Sequence, residues 1–290
     1  MVTPDVSMAG KVCMVTGATA GIGKVTALEL AQRGAAVVVV GRSEARCQAT
    51  VSQIRQKTGN PSVAFLLADL SSQQDVRRLA AEFNSSYSRL DVLVNNAGAI
   101  MLSRRESVDG IEMTFALNHL AYFLLTHLLS DKLKSSAPAR IVNVSSNSHE
   151  RAKLDLDDLQ TRKRYWGFGA YARSKLANIL FSYELARRLE GTGVTVNVLH
   201  PGLVGTNFLA NNGALGRILK TLVAIKGMSP ERGARTSVYL AASPEVESVT
   251  GRYFFREQEA ASSDSSHDED AALRLWHISA ELTGLPVDAR

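Results

Sequence analysis

Cysteine is scarce in this chain of 290 residues, which contains only Cys13 and Cys47. Cys13 lies in an apolar run and Cys47 in a charged, helix-like stretch, so both suit reduced, buried thiols better than a disulfide framework. Cys and His residues do not recur at the spacing that a zinc site requires. The sequence therefore predicts a protein without disulfides and without a bound metal.

Long hydrophobic runs are also missing. No uninterrupted apolar segment approaches the roughly 20 residues that a membrane helix needs, and the first ten residues lack the basic and then apolar pattern of a secretory signal. The net charge of +5 is small and scattered, without a basic stripe interleaved with aromatic residues. We therefore expect a soluble, cytoplasmic protein that does not bind nucleic acid.

Short β-branched runs alternate with longer helical patterns along the chain. The six clearest strands are predicted at 12–16, 37–40, 63–67, 92–94, 141–144 and 194–199. A seventh is predicted at 251–255, and the acidic, serine-rich residues 256–271 are predicted to form a surface loop. Strands that are apolar throughout indicate an α/β fold, a doubly wound sheet of about seven parallel strands with helices on both faces. Because no linker divides residues 1–290, we predict a single domain with its core at 8–200.

A glycine-rich turn follows the first strand and precedes a helix that begins near Lys24. Glycines let the backbone turn tightly and approach a pyrophosphate at the positive end of a helix. This pattern predicts a dinucleotide site, although turn glycines without a ligand are the alternative. The candidate cofactor-binding residues of this turn are Gly17, Thr19, Gly21, Ile22 and Gly23.

The second strand ends in the tripeptide Gly41-Arg42-Ser43. An acidic residue at this place would bind both hydroxyls of an adenosine ribose, whereas a guanidinium favours a 2′-phosphate. Arg42 therefore favours NADP over NAD. A solvated surface arginine, and with it NAD as the cofactor, is the alternative, because Ala20 supplies no second basic residue to the turn.

Further motifs follow the later strands: Ala68-Asp69-Leu70, Asn95-Asn96-Ala97-Gly98, and Tyr171 to Lys175 in the form YxxxK. Together with the TGxxxGIG turn and a serine after the fifth strand, they resemble the short-chain dehydrogenase/reductase family over nearly the whole chain. Residues 118–126, 174–178 and 282–286 resemble its retinol-dehydrogenase-like branch. The resemblance implies a Rossmann-type fold with cofactor contacts from Asp69, Leu70, Asn95, Ala97 and Gly98.

Tyr171 and Lys175 are four residues apart and hence on one face of a helix, where the ammonium group is expected to lower the pKa of the phenol. The resemblance implies that Tyr171 is the catalytic acid/base and that Lys175 also holds the nicotinamide ribose. A core tyrosine beside a snorkelling lysine is the alternative.

The resemblance also assigns two polar residues to the reaction. It implies that Ser146, rather than Ser145, polarises the substrate oxygen, and the long connection 147–169 is expected to shape the substrate pocket. It places Asn118 at a helix irregularity whose free carbonyl holds a water that links Lys175 to solvent. An asparagine that satisfies backbone groups locally is the alternative.

The segment Leu199-His200-Pro201-Gly202, followed by Thr206, resembles a motif whose residues contact the nicotinamide end of the cofactor. Pro201, Gly202 and Thr206 are therefore candidate cofactor contacts. His200 is interpreted as a hydrogen-bonded strand-end histidine rather than a second acid/base. The same interpretation applies to His119, His127 and His149.

Residues 201–230 are predicted to form the substrate lid. Apolar residues recur at helical spacing within 213–226, which indicates an amphipathic helix that roofs the pocket and a lipophilic substrate. Peripheral contact with a membrane through Arg217, Lys220 and Lys226 is the alternative use of this helix. The apolar residues are Leu215, Ile218, Leu219, Leu222 and Ile225.

The helices near 117–133 and 176–189 are apolar on more than one face. We therefore expect a homodimer or homotetramer, with coverage by a neighbouring loop of the same chain as the alternative. The function predicted from all these features is an NADP-dependent oxidoreductase that interconverts a lipophilic alcohol and its aldehyde or ketone. A non-catalytic dinucleotide-binding sensor or scaffold is the alternative. A zinc-dependent alcohol dehydrogenase is excluded by the missing Cys and His ligands.

Overall fold

The computed structural model describes residues 6–204, 212 and 227–286. Its centre is one sheet of eight strands in the order β3-β2-β1-β4-β5-β6-β7-β8. Thr206 and the predicted lid helix at 213–226 lie outside the described residues. The strands are β1 Val12–Thr16, β2 Ala36–Gly41, β3 Val63–Leu67, β4 Val92–Asn95, β5 Ala139–Val144, β6 Val194–Leu199, β7 Arg252–Phe255 and β8 Gln258–Glu259.

Strands β1 to β7 are parallel, and the order of the sheet reverses at β1, which pairs with β2 on one side and β4 on the other. Such a reversal leaves a crevice at the carboxyl ends of the central strands, where doubly wound proteins bind nucleotides. The fold class is therefore confirmed, and the turn after β1 opens onto that crevice.

Helices cover both faces of the sheet. They are α1 Gly21–Gln32, α2 Glu44–Thr58, α3 Gln73–Ser86, α4 Met113–Phe115, α5 Ala121–Leu128, α6 Ser130–Ser135, α7 Gly167–Arg188, α8 Pro230–Ala242 and α9 Glu269–Thr283. A π-helical segment, Ala116–Leu120, joins α4 to α5, and a 3₁₀ turn, Asn147–Arg151, follows β5. Within the described ranges, no helix is long and apolar enough to cross a bilayer.

Alternate residues of the central strands point to two separate cores. Cys13 and Val15 of β1 are buried with Leu30 of α1, whereas Met14 is buried on the opposite face with Phe83 of α3. Side chains of a strand alternate between faces, and a parallel strand covered on both sides is apolar at every position. Because both faces of the sheet are buried, these strands appear in the sequence as continuous apolar runs.

The C-terminal helix α9 covers the second apolar face of α5 and α7. The Trp276 ring lies 5.1 Å from that of Phe123 and 5.9 Å from that of Phe181, measured between centroids. His119 Nε2 lies 2.9 Å from Ser279 Oγ on the same helix. Part of the face from which an oligomer interface was predicted is therefore covered within the chain, by a helix rather than by a loop, and the oligomer itself stays a prediction.

The predicted acidic surface loop at 256–271 contains regular structure instead. Arg256 and Glu257 have positive φ angles of 52° and 65°, which turn the chain so that β8 pairs antiparallel with β7. A 3₁₀ turn, Asp264–His267, follows, and α9 begins at Glu269. The Asp268 side chain accepts the N–H of Ala271 at 2.9 Å, so the acidic residues 268–270, which are exposed as predicted, also cap and begin a helix.

Candidate active site

The glycine-rich turn after β1 is packed tightly against the end of β4. Gly17 has a φ of +66°, and a Cβ added to it would lie 2.8 Å from the Ala97 Cα. Asn96 Nδ2 donates to the Thr16 carbonyl at 2.8 Å and holds the turn in place. Any larger residue at position 17 would therefore displace the backbone that lines the crevice.

The turn leads directly into the N-terminus of α1. Ala20 is the N-cap residue, and no side chain of the described residues caps the first turn of this helix. The first N–H groups of a helix have no intrahelical acceptor and carry partial positive charge. Residues Gly21 to Gly23 border the crevice, so these backbone groups fit a phosphate of a dinucleotide.

One large cleft, with a volume of about 870 Å³, runs from this turn to the N-terminal half of α7. It brings together most of the residues that the sequence indicated. These are Gly17, Thr19, Gly21, Ile22, Gly23, Arg42, Asp69, Leu70, Ala97, Gly98, Ser146, Tyr171, Lys175, Pro201 and Gly202.

A second arginine that the sequence analysis missed accompanies Arg42. Arg46 lies four residues further along, in the first turn of α2, and lines the same cleft. Both side chains are exposed. A second cation close to Arg42 is visible in the sequence, but the prediction considered only Ala20 for that role.

Asn95 is not a wall residue of the cleft, which corrects the sequence-based assignment. Its side chain is fully buried, and its Nδ2 donates to Asn143 Oδ1 at 2.9 Å and to Thr126 Oγ1 at 3.1 Å. The neighbouring Asn96 lines the cleft instead. Successive strand residues face opposite sides, so only one member of the Asn-Asn pair can reach a ligand.

Tyr171 and Lys175 face each other in the cleft from adjacent turns of α7. Lys175 Nζ lies 5.7 Å from the centre of the Tyr171 ring and donates to the Val144 carbonyl at 2.9 Å. Burial lowers the pKa of Lys175 to about 7 and raises the pKa of Tyr171, while a hydrogen bond with Ser146 lowers it in part. The net shift of the Tyr171 pKa is therefore upward, opposite to the prediction, because burial is the dominant cause.

The two serines after β5 have different surroundings. Ser145 is buried, and its hydroxyl donates to the Lys175 carbonyl at 2.7 Å. Ser146 has extended backbone angles, and its Oγ faces the cleft within hydrogen-bonding reach of Tyr171. A hydroxyl beside the tyrosine can polarise a bound oxygen atom, so the geometry favours Ser146 over Ser145 for that role.

Asn118 lies in the π-helical segment, so the expected helix irregularity is present. Its Oδ1 accepts the Ala99 N–H at 2.9 Å, and its Nδ2 donates to the Ala99 carbonyl and to Ser174 Oγ, each at 3.0 Å. Its own carbonyl is not free as predicted, because Asn178 Nδ2 donates to it at 2.9 Å. A carbonyl oxygen has two lone pairs, so one further donor can still bind there.

Apolar side chains form the wall of the cleft beside Tyr171. Phe168, which is 43% exposed, and Leu203, which is 56% exposed, stand at its rim, and Met101, Met113 and Leu117 line it further in. Phe168 belongs to the connection 147–169 and Leu203 to the segment 201–230, both of which were predicted to border the substrate, whereas the other three residues carry no motif and were not predicted. A pocket with such a wall suits an apolar ligand that presents one polar group to Ser146 and Tyr171.

The histidines are hydrogen-bonded within the chain, in agreement with the sequence interpretation. His200 Nδ1 accepts the N–H of Gly202 at 3.2 Å, and burial lowers the pKa of His200 to about 4. His127 Nδ1 lies 2.8 Å from the Phe123 carbonyl. Neither ring lines the cleft, so neither is a candidate acid or base.

Two groups of proteins resemble this chain in sequence and in fold. Human retinol dehydrogenase 13 is 45% identical over 95% of this chain and 85% of its own length, and human retinol dehydrogenase 11 is 43% identical over 99% and 90%. A crystal structure of an uncharacterized protein from Mycobacterium paratuberculosis shares 32% identity, covers 97% of this chain and 96% of its own, and superposes with a TM-score of 0.79.

A further solved structure, the RhlG/NADP active-site complex of Pseudomonas aeruginosa, shares 30% identity and covers 87% of this chain and 96% of its own, with a TM-score of 0.69. The family model described as short chain dehydrogenase matches residues 11–214, which include the glycine turn, Tyr171 and Lys175. The chain therefore belongs to the short-chain dehydrogenase/reductase family, in its retinol-dehydrogenase-like branch, and is an oxidoreductase of that family.

Proposed function

We propose that the chain is an NADP-dependent oxidoreductase that interconverts a lipophilic alcohol and its aldehyde or ketone. The observation that carries this proposal is the meeting of Ser146, Tyr171 and Lys175 in one cleft with the glycine turn. A dinucleotide bound at the turn would extend along this cleft towards a proton donor (Tyr171), a polarising hydroxyl (Ser146) and a lysine (Lys175).

The residues of the cleft fit a phosphorylated dinucleotide. The N-terminus of α1 would hold the pyrophosphate, and Arg42 and Arg46 would bind a 2′-phosphate at the end of β2. The proposal of NADP is supported by the solved relative that is described as an NADP complex. When bound, the dinucleotide supplies a hydride to a carbonyl carbon or accepts one from an alcohol.

Side chains of the protein transfer the proton and stabilise the negative charge that develops on the substrate oxygen. In the reducing direction, Ser146 Oγ donates a hydrogen bond to the substrate oxygen, and the Tyr171 hydroxyl transfers its proton to that atom. Because burial brings the pKa of Lys175 to about 7, this lysine carries a partial positive charge near neutral pH and stabilises the phenolate that remains. Oxidation of an alcohol reverses both steps.

A lipophilic substrate follows from the apolar wall that Met101, Phe168 and Leu203 contribute. Such a wall binds hydrocarbon because each Å² of apolar surface removed from water contributes about 25 cal/mol of binding free energy. The hydroxyls of Ser146 and Tyr171 would then orient the polar group of the substrate. The relatives named retinol dehydrogenases make a retinoid the first substrate to test.

The proposal is tested by following reduced-nicotinamide absorbance with NADPH and with NADH. The carbonyl panel runs from propanal through nonanal and all-trans-retinal to a steroid ketone. We expect fastest turnover with NADPH and a long apolar carbonyl. An NADH preference would overturn the cofactor assignment alone, and tight NADPH binding without turnover of any carbonyl would favour a dinucleotide-binding sensor.

A further inference from the structure

A buried histidine connects the backbone of Ser146 to a segment near the C-terminus. His149 lies in the 3₁₀ turn Asn147–Arg151, and its Nδ1 lies 2.7 Å from the Ser146 carbonyl oxygen. On the other side of the ring, Nε2 lies 3.1 Å from the backbone nitrogen of Ser263. The imidazole thus bridges two backbone groups that are far apart in sequence.

The two partners determine which ring nitrogen of His149 carries the proton. A backbone N–H can only donate, so Nε2 must accept from Ser263, and a carbonyl can only accept, so Nδ1–H must donate to Ser146. Burial of the ring also lowers the pKa of His149, which favours this neutral form. The bridge is therefore directional, from the Ser263 N–H through the ring to the Ser146 carbonyl.

Ser263 is itself fixed by the 3₁₀ turn before α9, because its carbonyl accepts the Ser266 N–H at 2.9 Å, and the preceding residue Ser262 is held between α7 and the same turn. Ser262 Oγ lies 2.8 Å from Tyr183 Oη, and Ser266 Oγ donates to Ser262 Oγ at 2.7 Å. The His149 ring also packs on Tyr253 of β7, with a centroid separation of 5.2 Å. These contacts give the ring a rigid support outside the cleft.

We propose that His149 is a positioning residue for Ser146, and that its Nδ1–H fixes the backbone from which the Ser146 hydroxyl reaches the substrate oxygen. The proposal rests on the function proposed above, in which Ser146 polarises that oxygen. The His149 backbone N–H donates to the same carbonyl at 3.2 Å, but the ring bond is shorter and is the one anchored to the C-terminal segment. Acting through Ser146, the ring contributes without touching the substrate.

Two amide variants separate the two halves of the bridge. In His149→Asn, the side-chain amide can donate from the position of Nδ1 but does not reach Ser263. In His149→Gln, the amide oxygen can accept from Ser263, but no donor remains at the position of Nδ1. Each variant keeps one ring bond and loses the other, and both remove the ring that packs on Tyr253.

The kinetic measurement uses NADPH and the carbonyl of the panel that the wild-type enzyme reduces fastest. We expect His149→Asn to keep kcat within about threefold of wild type and His149→Gln to lose about tenfold in kcat, the effect of one lost hydrogen bond on a transition state. The KM for NADPH should stay unchanged in both, because the ring does not line the cleft. Equal kcat losses, or losses that follow the fall in Tm, would overturn the positioning role.

A spectroscopic measurement tests the bridge independently of activity. The ¹H–¹⁵N spectrum of the ¹⁵N-histidine-labelled enzyme with NADPH, with His149 assigned from the His149→Asn variant, should show a proton on Nδ1 and none on Nε2. A proton on Nε2 would overturn the role of His149 alone. A wild-type enzyme that turns over no carbonyl would instead overturn the proposed function and, with it, the catalytic contribution of His149.

Discussion

Lys175 Nζ lies 5.7 Å from the centre of the Tyr171 ring, and burial disfavours the charged form of both side chains. The pKa of Tyr171 is raised and that of Lys175 is lowered to about 7. Both side chains are therefore neutral at pH values between the pKa of Lys175 and that of Tyr171. A charge on one of them stabilises the opposite charge on the other. Proton transfer from Tyr171 thus depends on the protonation of Lys175.

The first prediction concerns stability and pH. Burial lowers the pKa of Lys175 from its ordinary 10.5 to about 7, so between these values the unfolded chain binds a proton that the folded chain does not. The contribution of Lys175 to the free energy of unfolding therefore rises as the pH rises from about 7 to 10.5. Below pH 7 the folded protein bears the full cost of burying the charged ammonium group. Lys175→Met should exceed wild type in free energy of unfolding most at pH 6.5, and the excess should shrink towards pH 10.

Urea unfolding at several pH values measures this difference, and the exposed Lys57→Met variant controls for the loss of a lysine. For Lys57→Met, the difference from wild type should stay nearly constant. A Lys175→Met difference that is equally constant over the whole range would contradict the burial effect.

The second prediction separates the two adjacent serines. Ser146→Ala removes the hydroxyl beside Tyr171 and should lower kcat by about 100-fold. Ser145→Ala removes the buried hydrogen bond to the Lys175 carbonyl and should cost about 1 kcal/mol of stability. Steady-state kinetics and thermal unfolding of both variants measure this contrast. Comparable kcat for the two variants would show that Ser146 is the wrong choice.

The third prediction concerns cofactor choice. Arg42→Ala and Arg46→Ala should each raise the KM for NADPH by about tenfold and leave the KM for NADH unchanged, because only NADPH carries a 2′-phosphate. The ratio of kcat/KM for the two cofactors is the measurement, and Lys57→Ala at the far end of α2 is the control. If Arg46→Ala keeps the wild-type ratio, Arg46 has no part in selecting the cofactor.

The fourth prediction concerns the Asn-Asn pair. Asn95→Ala breaks the buried bonds to Asn143 and Thr126 and should lower the free energy of unfolding by about 1–3 kcal/mol, with an unchanged KM for NADPH. Asn96→Ala loosens the glycine turn and should raise that KM. Chemical unfolding and steady-state kinetics distinguish the two effects, and a raised KM in Asn95→Ala without loss of stability would contradict the assignment.

The central strands could be predicted from sequence because both faces of the sheet are buried. The observed β1, β3 and β6 have the predicted bounds, since a parallel strand under two layers of helix is apolar along its whole length. Strand β8 escaped prediction because its turn uses positive φ angles at Arg256 and Glu257. Such angles usually belong to glycine or asparagine, so neither residue signals a turn.

The cleft was predictable where a contiguous motif faces it, as in the glycine turn and the Tyr171 to Lys175 segment. The choice between Asn95 and Asn96 depends on the parity of one strand, which two identical neighbours do not reveal. The bridge from His149 to Ser263 joins residues 114 positions apart, and only the packed structure brings them together.

The central claim is that Tyr171 supplies the proton in a reaction with NADPH. The most direct test compares wild type with Tyr171→Phe in the oxidation of NADPH by a long apolar carbonyl, with NADPH affinity measured by fluorescence titration. The account predicts a kcat at least about 100-fold lower in the variant and an unchanged Kd for NADPH. A variant that keeps the wild-type kcat would contradict the account.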